Sequence, residues 1–166
     1  MEIVSAAAQA GGWSWAQTTA LTVPFVALLG VYVTYSLNQR AVRRERRSKT
    51  FAEALTAVEE YLEMPYRIRR RPDSADVRRE LTDEVSSILA RMAFHQAWLQ
   101  IEASSVAGPY ATLVATARAE AGVQMSEAWQ QPLITSDSGM NLGIAYTRDR
   151  SNEARAACVE AMRRHL

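Results

Sequence analysis

Few side chains in this sequence are of the types that carry catalysis or bind metals, and they stand far apart. There are two histidines and one cysteine among 166 residues. His95 falls on the apolar stripe of a long predicted helix, where a histidine can serve as a ligand, a general base or a pH switch. We favour a core histidine with one hydrogen bond, because no second histidine lies nearby and His165 is expected to fray at the chain end.

The glutamates and the cysteine also lack the partners that metal or nucleophilic chemistry needs. Di-metal sites in four-helix bundles use Glu-x-x-His pairs, and the glutamates at 59, 60, 63, 80 and 84 have no such histidine. Cys158 stands among alanines on the inner face of the last predicted helix, and a thiol nucleophile needs a positioned base. We therefore expect a buried inert thiol, and we predict no catalytic residue, no cofactor and no metal site.

A segment rich in serine and glycine, residues 136–143, is the remaining candidate for a small-ligand site. Glycine loops cradle phosphates when they follow a strand and open a helix. No strand is predicted before this segment, and it contains neither a Lys-Ser or Lys-Thr pair nor a G-x-G-x-x-G pattern. We therefore prefer an ordinary connection. The nucleophile-elbow and zinc-binding spacings are also absent from the sequence.

Two blocks of basic residues stand out along the chain. The second block holds Arg67, Arg69, Arg70 and Arg71. It is compatible with a solvated loop, with a contact to an acidic protein partner, or with phosphate binding. The net charge of +1 argues against a dedicated nucleic-acid binder. We favour the solvated loop, and among binding roles we prefer a protein partner, for which these arginines are candidate contacts together with Trp129 if that side chain is exposed.

The first basic block follows an uncharged N-terminal segment. No charged residue occurs in the 37 positions from Ile3 to Gln39. A helix over residues 15–37 would be roughly 34 Å long, enough for a hydrocarbon core of about 30 Å. Six basic residues follow at once: Arg40, Arg43, Arg44, Arg46, Arg47 and Lys49. Because positive charge marks the cytoplasmic side, we predict a transmembrane helix at 15–38, with residues 1–14 outside the cell and the rest inside.

The position of these six basic residues after the apolar segment also distinguishes an uncleaved anchor from a cleaved signal peptide. A signal peptide carries its basic residues before a short apolar stretch, whereas here they come after a long one. We therefore predict an uncleaved single-pass anchor in the plasma membrane. The six basic side chains of the juxtamembrane segment 39–50 either contact anionic lipid headgroups or act only as a topology signal.

The remainder of the chain, residues 51–166, is predicted to form a cytoplasmic bundle of about four helices. With 48% hydrophobic residues, the chain is too apolar to be disordered. Its apolar residues recur in steps of four and three, a period near 3.5 that is typical of packed or coiled-coil helices. Turn-forming residues set the expected boundaries: the first helix ends before Pro65, the second runs from a cap at Asp73 or Ser74 to Gly108-Pro109, the third closes at Gly122, and the last starts at Asp149 or Ser151.

Charges alternate in sign along the first two of these helices. An antiparallel hairpin would bring Glu59, Glu60 and Glu63 near Arg78 and Arg79. We expect those pairs to favour that register, although exposed pairs contribute only about 0–1 kcal/mol each.

The sequence thus predicts an all-α protein with one N-terminal transmembrane helix and an antiparallel helical hairpin or bundle in the cytoplasm. We expect a non-enzymatic interaction or scaffold module that binds a protein partner or associates with itself. The alternative is a membrane effector or sensor whose bundle couples a ligand or an assembly state to the transmembrane helix. The apolar face of the second helix is broad, so exposure of part of it would imply a missing partner or oligomer.

Overall fold

The computed structural model of the protein describes residues 15–140, 143 and 145–166, and for residues 15–30 it describes the backbone alone. Across the described residues the chain forms helices and no strand. The α-helices are α1 (Trp15–Arg69), α2 (Ala75–Glu102), α3 (Ser104–Gln130) and α4 (Asp149–His165), and a short 3-10 turn (Asp137–Gly139) lies between α3 and α4. The predicted all-α class is confirmed.

The chain divides into two compact units, Met1–Arg44 and Glu45–Leu166. In the part of the chain that the structure describes, no helix carries an apolar stretch of the length needed to cross a membrane. The predicted N-terminal segment 1–14 lies outside the described residues, and so do most side chains of the predicted span 15–38.

The first helix does not stop at Pro65, as the sequence predicted, but continues to Arg69. A proline inside a helix removes one backbone donor. This loss is offset by packing, because Met64 and Ile68 on either side of the proline are fully buried in the core. The connection to α2 is therefore residues 70–74, and the predicted connection over 65–74 is too long.

The boundary between the second and third helices also differs from the prediction. Gly108 and Pro109, expected to end the second helix, lie inside α3. The break falls instead at Ala103, whose φ of −151° and ψ of 59° lie outside the helical region. Alanine is the best helix former, so the residue type at this position gives no sign of a break.

The third helix is longer than predicted. Gly122, expected to close it, lies inside α3, which continues to Gln130. Met125 and Ala128 extend the buried face of the helix beyond the glycine. Packing of that face therefore outweighs the weak helix propensity of glycine, which is about 1 kcal/mol less favourable than that of alanine.

Side chains accept hydrogen bonds from free backbone N–H groups in the first turns of α2 and α4. Ser74 Oγ accepts a hydrogen bond from Val77 N at 3.4 Å, which confirms the predicted cap. The Glu120 carboxylate on α3 accepts from Arg150 N at 3.2 Å, from Ser151 N at 3.0 Å and from the Ser151 hydroxyl. Two of the free N–H groups at the start of α4 are thus satisfied by a negative charge from a neighbouring helix.

One hydrophobic core joins the helices within Glu45–Leu166. Tyr110 lies fully buried in it and donates its hydroxyl hydrogen to Ala54 O at 3.2 Å. Every helix contributes to the fully buried set, which includes Val58, Met64, Ile68, Ile88, Met92, Leu99, Val106, Leu113 and Cys158. The core therefore fixes α1, α2, α3 and α4 relative to one another in this unit.

The charge pairs between α1 and α2 are not those that the sequence predicted. Glu60 pairs with Arg91, and Arg67 pairs with Glu84. A step of seven residues along α1 thus matches a step of seven along α2 in the opposite direction, which defines one antiparallel register.

The remaining predicted partners pair elsewhere, so the proposed register was wrong. The arginines at the start of α2 lie beside the short turn and bind local aspartates, while two α1 glutamates face the α4 side of the bundle. The pairs are Arg78 with Asp73, Arg79 with Asp76, Glu59 with Arg148 and Arg155, and Glu63 with Arg148.

Candidate functional site

The basic side chains predicted to contact lipid all lie on α1. Arg47 is half-buried, and the other five are exposed: Arg40, Arg43, Arg44, Arg46 and Lys49. No carboxylate among the described residues lies within ion-pair distance of any of the six. Within that part of the chain their charges are not neutralised, so they suit contact with an anionic surface.

The arginines at the end of α1, predicted as partner contacts, have different surroundings. Arg67 pairs with Glu84, and Arg69 donates to Pro132 O at 2.7 Å. Arg70 is exposed, with its guanidinium 5.8 Å from the centre of a neighbouring tyrosine ring. The structure therefore does not bring the arginines together into one basic patch.

Arg71 is buried, with 7% of its surface exposed, and it bonds the ends of two helices. Its Nη1 donates to Ile68 O and to Ala128 O, each at 2.9 Å. Its Nη2 donates to Trp129 O at 2.9 Å and to Gln131 O at 3.3 Å. These carbonyls lie at the ends of α1 and α3, where the last four C=O groups of a helix lack intrahelical donors.

The electrostatic environment of Arg71 matches this structural role. Burial lowers the pKa of the Arg71 guanidinium, and the positive charges of Arg69 and Arg78 lower it further. The negative ends of two helix dipoles stabilise the charge, and the guanidinium lies 4.8 Å from the centre of the Trp129 ring, a cation–π distance. Arg71 is buried and its guanidinium already contacts the Trp129 ring of the same chain. We therefore leave Arg71 out of the candidate partner surface.

A cleft of about 260 Å³ opens between α1 and α2, lined by Glu53, Thr56, Arg91 and His95. Three of these residues are exposed, whereas His95 is only 6% exposed. The predicted burial of His95 is therefore correct. The hydrogen bond predicted for it is not formed at Nδ1, which has no partner among the described residues. A buried polar atom without a partner is rare in folded proteins.

The protonation of His95 is set mainly by burial, which lowers the pKa of its imidazole. The carboxylate of Glu53 raises that pKa and the guanidinium of Arg91 lowers it, both to a smaller extent than burial. The imidazole is therefore neutral near pH 7, so one ring nitrogen carries a hydrogen and the other accepts.

A stripe of apolar residues on α2 is exposed to solvent. Ala90, Phe94, Ala97 and Ile101 follow one another in steps of four, three and four, which places them on one side of the helix. Phe94 is 63% exposed and Ile101 is 80% exposed. We call these four residues the α2 stripe.

The sequence did not separate this stripe from the buried face of the same helix. It predicted one broad apolar face for the second helix and did not identify Phe94 and Ile101 as exposed residues. The buried residues Met92, His95 and Leu99 also repeat in steps of three and four. Each buried residue of this set comes two positions before a residue of the α2 stripe. Because two residues correspond to about 200° around a helix, the buried and exposed sets lie on opposite sides of α2.

The other candidate residues are placed separately from one another. Cys158 is fully buried, and burial raises the pKa of its thiol to about 11. His165 is not frayed, because its Nδ1 lies 3.1 Å from Ser105 Oγ. In the segment 136–143 a short exposed turn forms, and residues 141 and 142 lie outside the described set. No group of three potential metal ligands occurs in the described part of the chain.

The chain matches no protein-family model, and it is similar at a significant level to no curated protein and to no solved structure.

Proposed function

We propose that this chain is a non-enzymatic, single-pass membrane protein whose cytoplasmic helical bundle binds a helix of a protein partner or of a second copy through the α2 stripe. The observation that supports this function best is the exposure of Phe94 and Ile101 on a helix whose opposite face is packed in the core. Large apolar side chains aligned on one exposed helix face are typical of interaction sites.

The size and spacing of the α2 stripe suit a facing helix. Full burial of a phenylalanine or isoleucine side chain contributes about 1.5–3 kcal/mol. Because Phe94 and Ile101 are still mostly exposed, covering both would contribute about 3 kcal/mol. The smaller Ala90 and Ala97 alternate with them and leave space for side chains of the opposite helix, as in knobs-into-holes packing. Arg70, which is exposed in the connection between α1 and α2, remains a candidate contact for an acidic partner.

Three features support the membrane part of this function. The first is the uncharged segment Ile3–Gln39, and the second is the exposed basic segment that follows it. The third is that large apolar side chains of α1 before this segment are exposed: Val31, Tyr32, Val33, Tyr35 and Leu37. Near an anionic leaflet each basic side chain contributes roughly 1 kcal/mol.

Affinity purification of the full-length chain from native membranes, followed by mass measurement of the intact complex, tests the interaction. We expect an oligomer or a stoichiometric partner with the wild type, and loss of it in the double variant Phe94→Ser/Ile101→Ser. Val123→Ser is the matched control, because it alters a 60% exposed valine on α3, outside the stripe. A strictly monomeric wild type with no copurifying protein would refute the interaction.

Cell fractionation and a C-terminal topology reporter test the membrane anchor. We expect the chain to stay in the pellet after alkaline carbonate extraction, and deletion of residues 1–38 to release it. Replacing the six basic residues of the segment 39–50 by glutamine should disturb the orientation, since positive charge sets it. Recovery of the intact chain in the carbonate supernatant would contradict an anchor.

One observation favours the second candidate function, a membrane effector or sensor. The cleft at His95 lies between α2 and the helix that also carries the basic segment. Induced expression followed by membrane-potential and permeability measurements tests it. An unchanged potential in cells where the chain oligomerises would rule out an effector.

A further inference from the structure

The cleft between α1 and α2 differs in chemistry from the helix contacts around it. Its lining residues, Glu53, Thr56, Arg91 and His95, are all polar. Core residues on either side along α1, such as Phe51 and Val58, are apolar and buried. Polar side chains here interrupt an apolar seam, and the buried imidazole of His95 forms part of the cleft lining.

Much of the hydrogen-bonding capacity at the cleft is unused. Arg91 binds Glu60 through Nη2, and a guanidinium has five N–H groups. The Thr56 hydroxyl donates to Ala52 O at 2.9 Å, which leaves its oxygen able to accept. Glu53 forms no ion pair with any residue in the described ranges.

The charges at the cleft restrict the ligands that it suits. A dianion such as phosphate would meet the carboxylates of Glu53 and Glu60, and a simple cation would meet the guanidinium of Arg91. Like charges placed together cost several kcal/mol. A molecule that carries one charge of each sign meets an opposite charge at both ends.

The volume of the cleft restricts the size of the ligand. About 260 Å³ corresponds to roughly eight or nine waters, at about 30 Å³ each. It lies below the about 300–1,000 Å³ of pockets for drug-sized molecules. The cleft therefore encloses a molecule, or the end of a larger one, of on the order of ten non-hydrogen atoms.

We propose that the cleft binds a small zwitterion, an α-amino acid or a compound with the same two charged groups. The carboxylate binds Arg91, the ammonium group binds Glu53, and the ligand contacts the part of the His95 ring that lines the cleft. A ligand in this site contacts α1 and α2 together. The Phe94 ring of the α2 stripe packs 5.4 Å from the His95 ring, so the variant that tests independence from the stripe is Ile101→Ser, which leaves Phe94 in place and should keep the site.

NMR of the full-length chain in detergent micelles, labelled with ¹³C and ¹⁵N at histidine, tests this site. The probes are the standard amino acids, with sodium phosphate and methylammonium chloride as single-sign controls. We expect at least one amino acid to shift the ring signals of His95 saturably, with a Kd near or below about 1 mM, while the signals of His165 stay in place. Phosphate and methylammonium should leave both histidines unchanged.

Variants of the rim separate ligand binding from a general effect on the fold. Glu53→Gln and Arg91→Gln should each weaken the binding of that amino acid about tenfold, which corresponds to about 1.4 kcal/mol. Glu80→Gln, an exposed change elsewhere on α2, should leave it unaltered. Absence of any amino-acid shift at His95, equal shifts with the single-sign controls, or wild-type affinity in Glu53→Gln would each overturn the site.

Discussion

Replacing Arg71 by methionine tests whether one guanidinium holds the ends of α1 and α3 together. Methionine keeps an unbranched side chain but removes four hydrogen bonds, three at 2.9 Å and one at 3.3 Å. A hydrogen bond to a charged group contributes about 1.5–3 kcal/mol, but four bonds to one side chain are not additive, and carbonyls at helix ends partly regain water. We expect the free energy of unfolding to fall by about 3–5 kcal/mol, out of the about 5–15 kcal/mol of a typical domain.

Urea unfolding of the full-length chain in detergent micelles, followed by far-UV circular dichroism, measures this loss. With a slope of about 1.5 kcal/mol per molar urea, the midpoint should fall by about 2–3 M. Arg71→Lys keeps the charge without the planar fork and should lie between. Arg70→Met changes the exposed neighbour and should stay within about 0.5 kcal/mol of the wild type. If Arg71→Met and Arg70→Met unfold at the same urea concentration, the capping role is refuted.

Unfolding measurements and chemical modification test three further features: the protonation of His95, the cap of α4 by Glu120 and the burial of Cys158. Between neutral pH and the lowered pKa of His95 the bundle should lose stability as the pH falls, because the unfolded chain takes up a proton that the folded chain binds less well; His95→Gln should flatten this dependence, and an unchanged slope would contradict it. Glu120→Ala should lower the free energy of unfolding by about 2 kcal/mol, because it removes the acceptor for the first turn of α4, whereas exposed Glu153→Ala should not; equal midpoints would exclude the cap. Iodoacetamide should modify Cys158 at neutral pH only as the bundle unfolds, because the thiol is buried and its pKa is about 11; rapid modification of the native chain, read by mass spectrometry, would show that it is accessible.

Local signals in the sequence were sufficient where a structural feature depends on one element alone. A cap at Asp73 or Ser74 was predicted because such a residue before an apolar repeat is a local pattern, and the burial of Cys158 followed from its place on one helix face. The boundaries at Pro65 and Gly122 were missed because packing of buried neighbours decides them. No rule based on residue type predicts the helix break at Ala103. The backbone dihedral angles of this alanine lie outside the helical region, and its side chain is buried.

The candidate sites depended still more on contacts between distant residues. Arg69, Arg70 and Arg71 look equivalent in the sequence, yet only the structure separates an exposed side chain from one that bonds α3. The register of α1 against α2 follows from a turn that is shorter than predicted, and that register is what places Glu53 and His95 at one cleft. Periodicity found the apolar residues of α2 but did not show which of them face the core.

The bonds from Arg71 also have a consequence for the order in which the chain matures on the ribosome. Three of their four acceptors lie at the end of α3 or directly after it, 57 to 60 residues further along the chain. At about 5–20 residues per second, synthesis takes about 3–12 s to pass from the donor to those acceptors. During that interval α1 and α2 can pair as a nascent hairpin, but Arg71 between them lacks these three acceptors. The hydrogen bonds from Arg71 that complete this hairpin therefore form only after the end of α3 has emerged. A pause in translation within α3 would extend the lifetime of the hairpin that lacks these bonds.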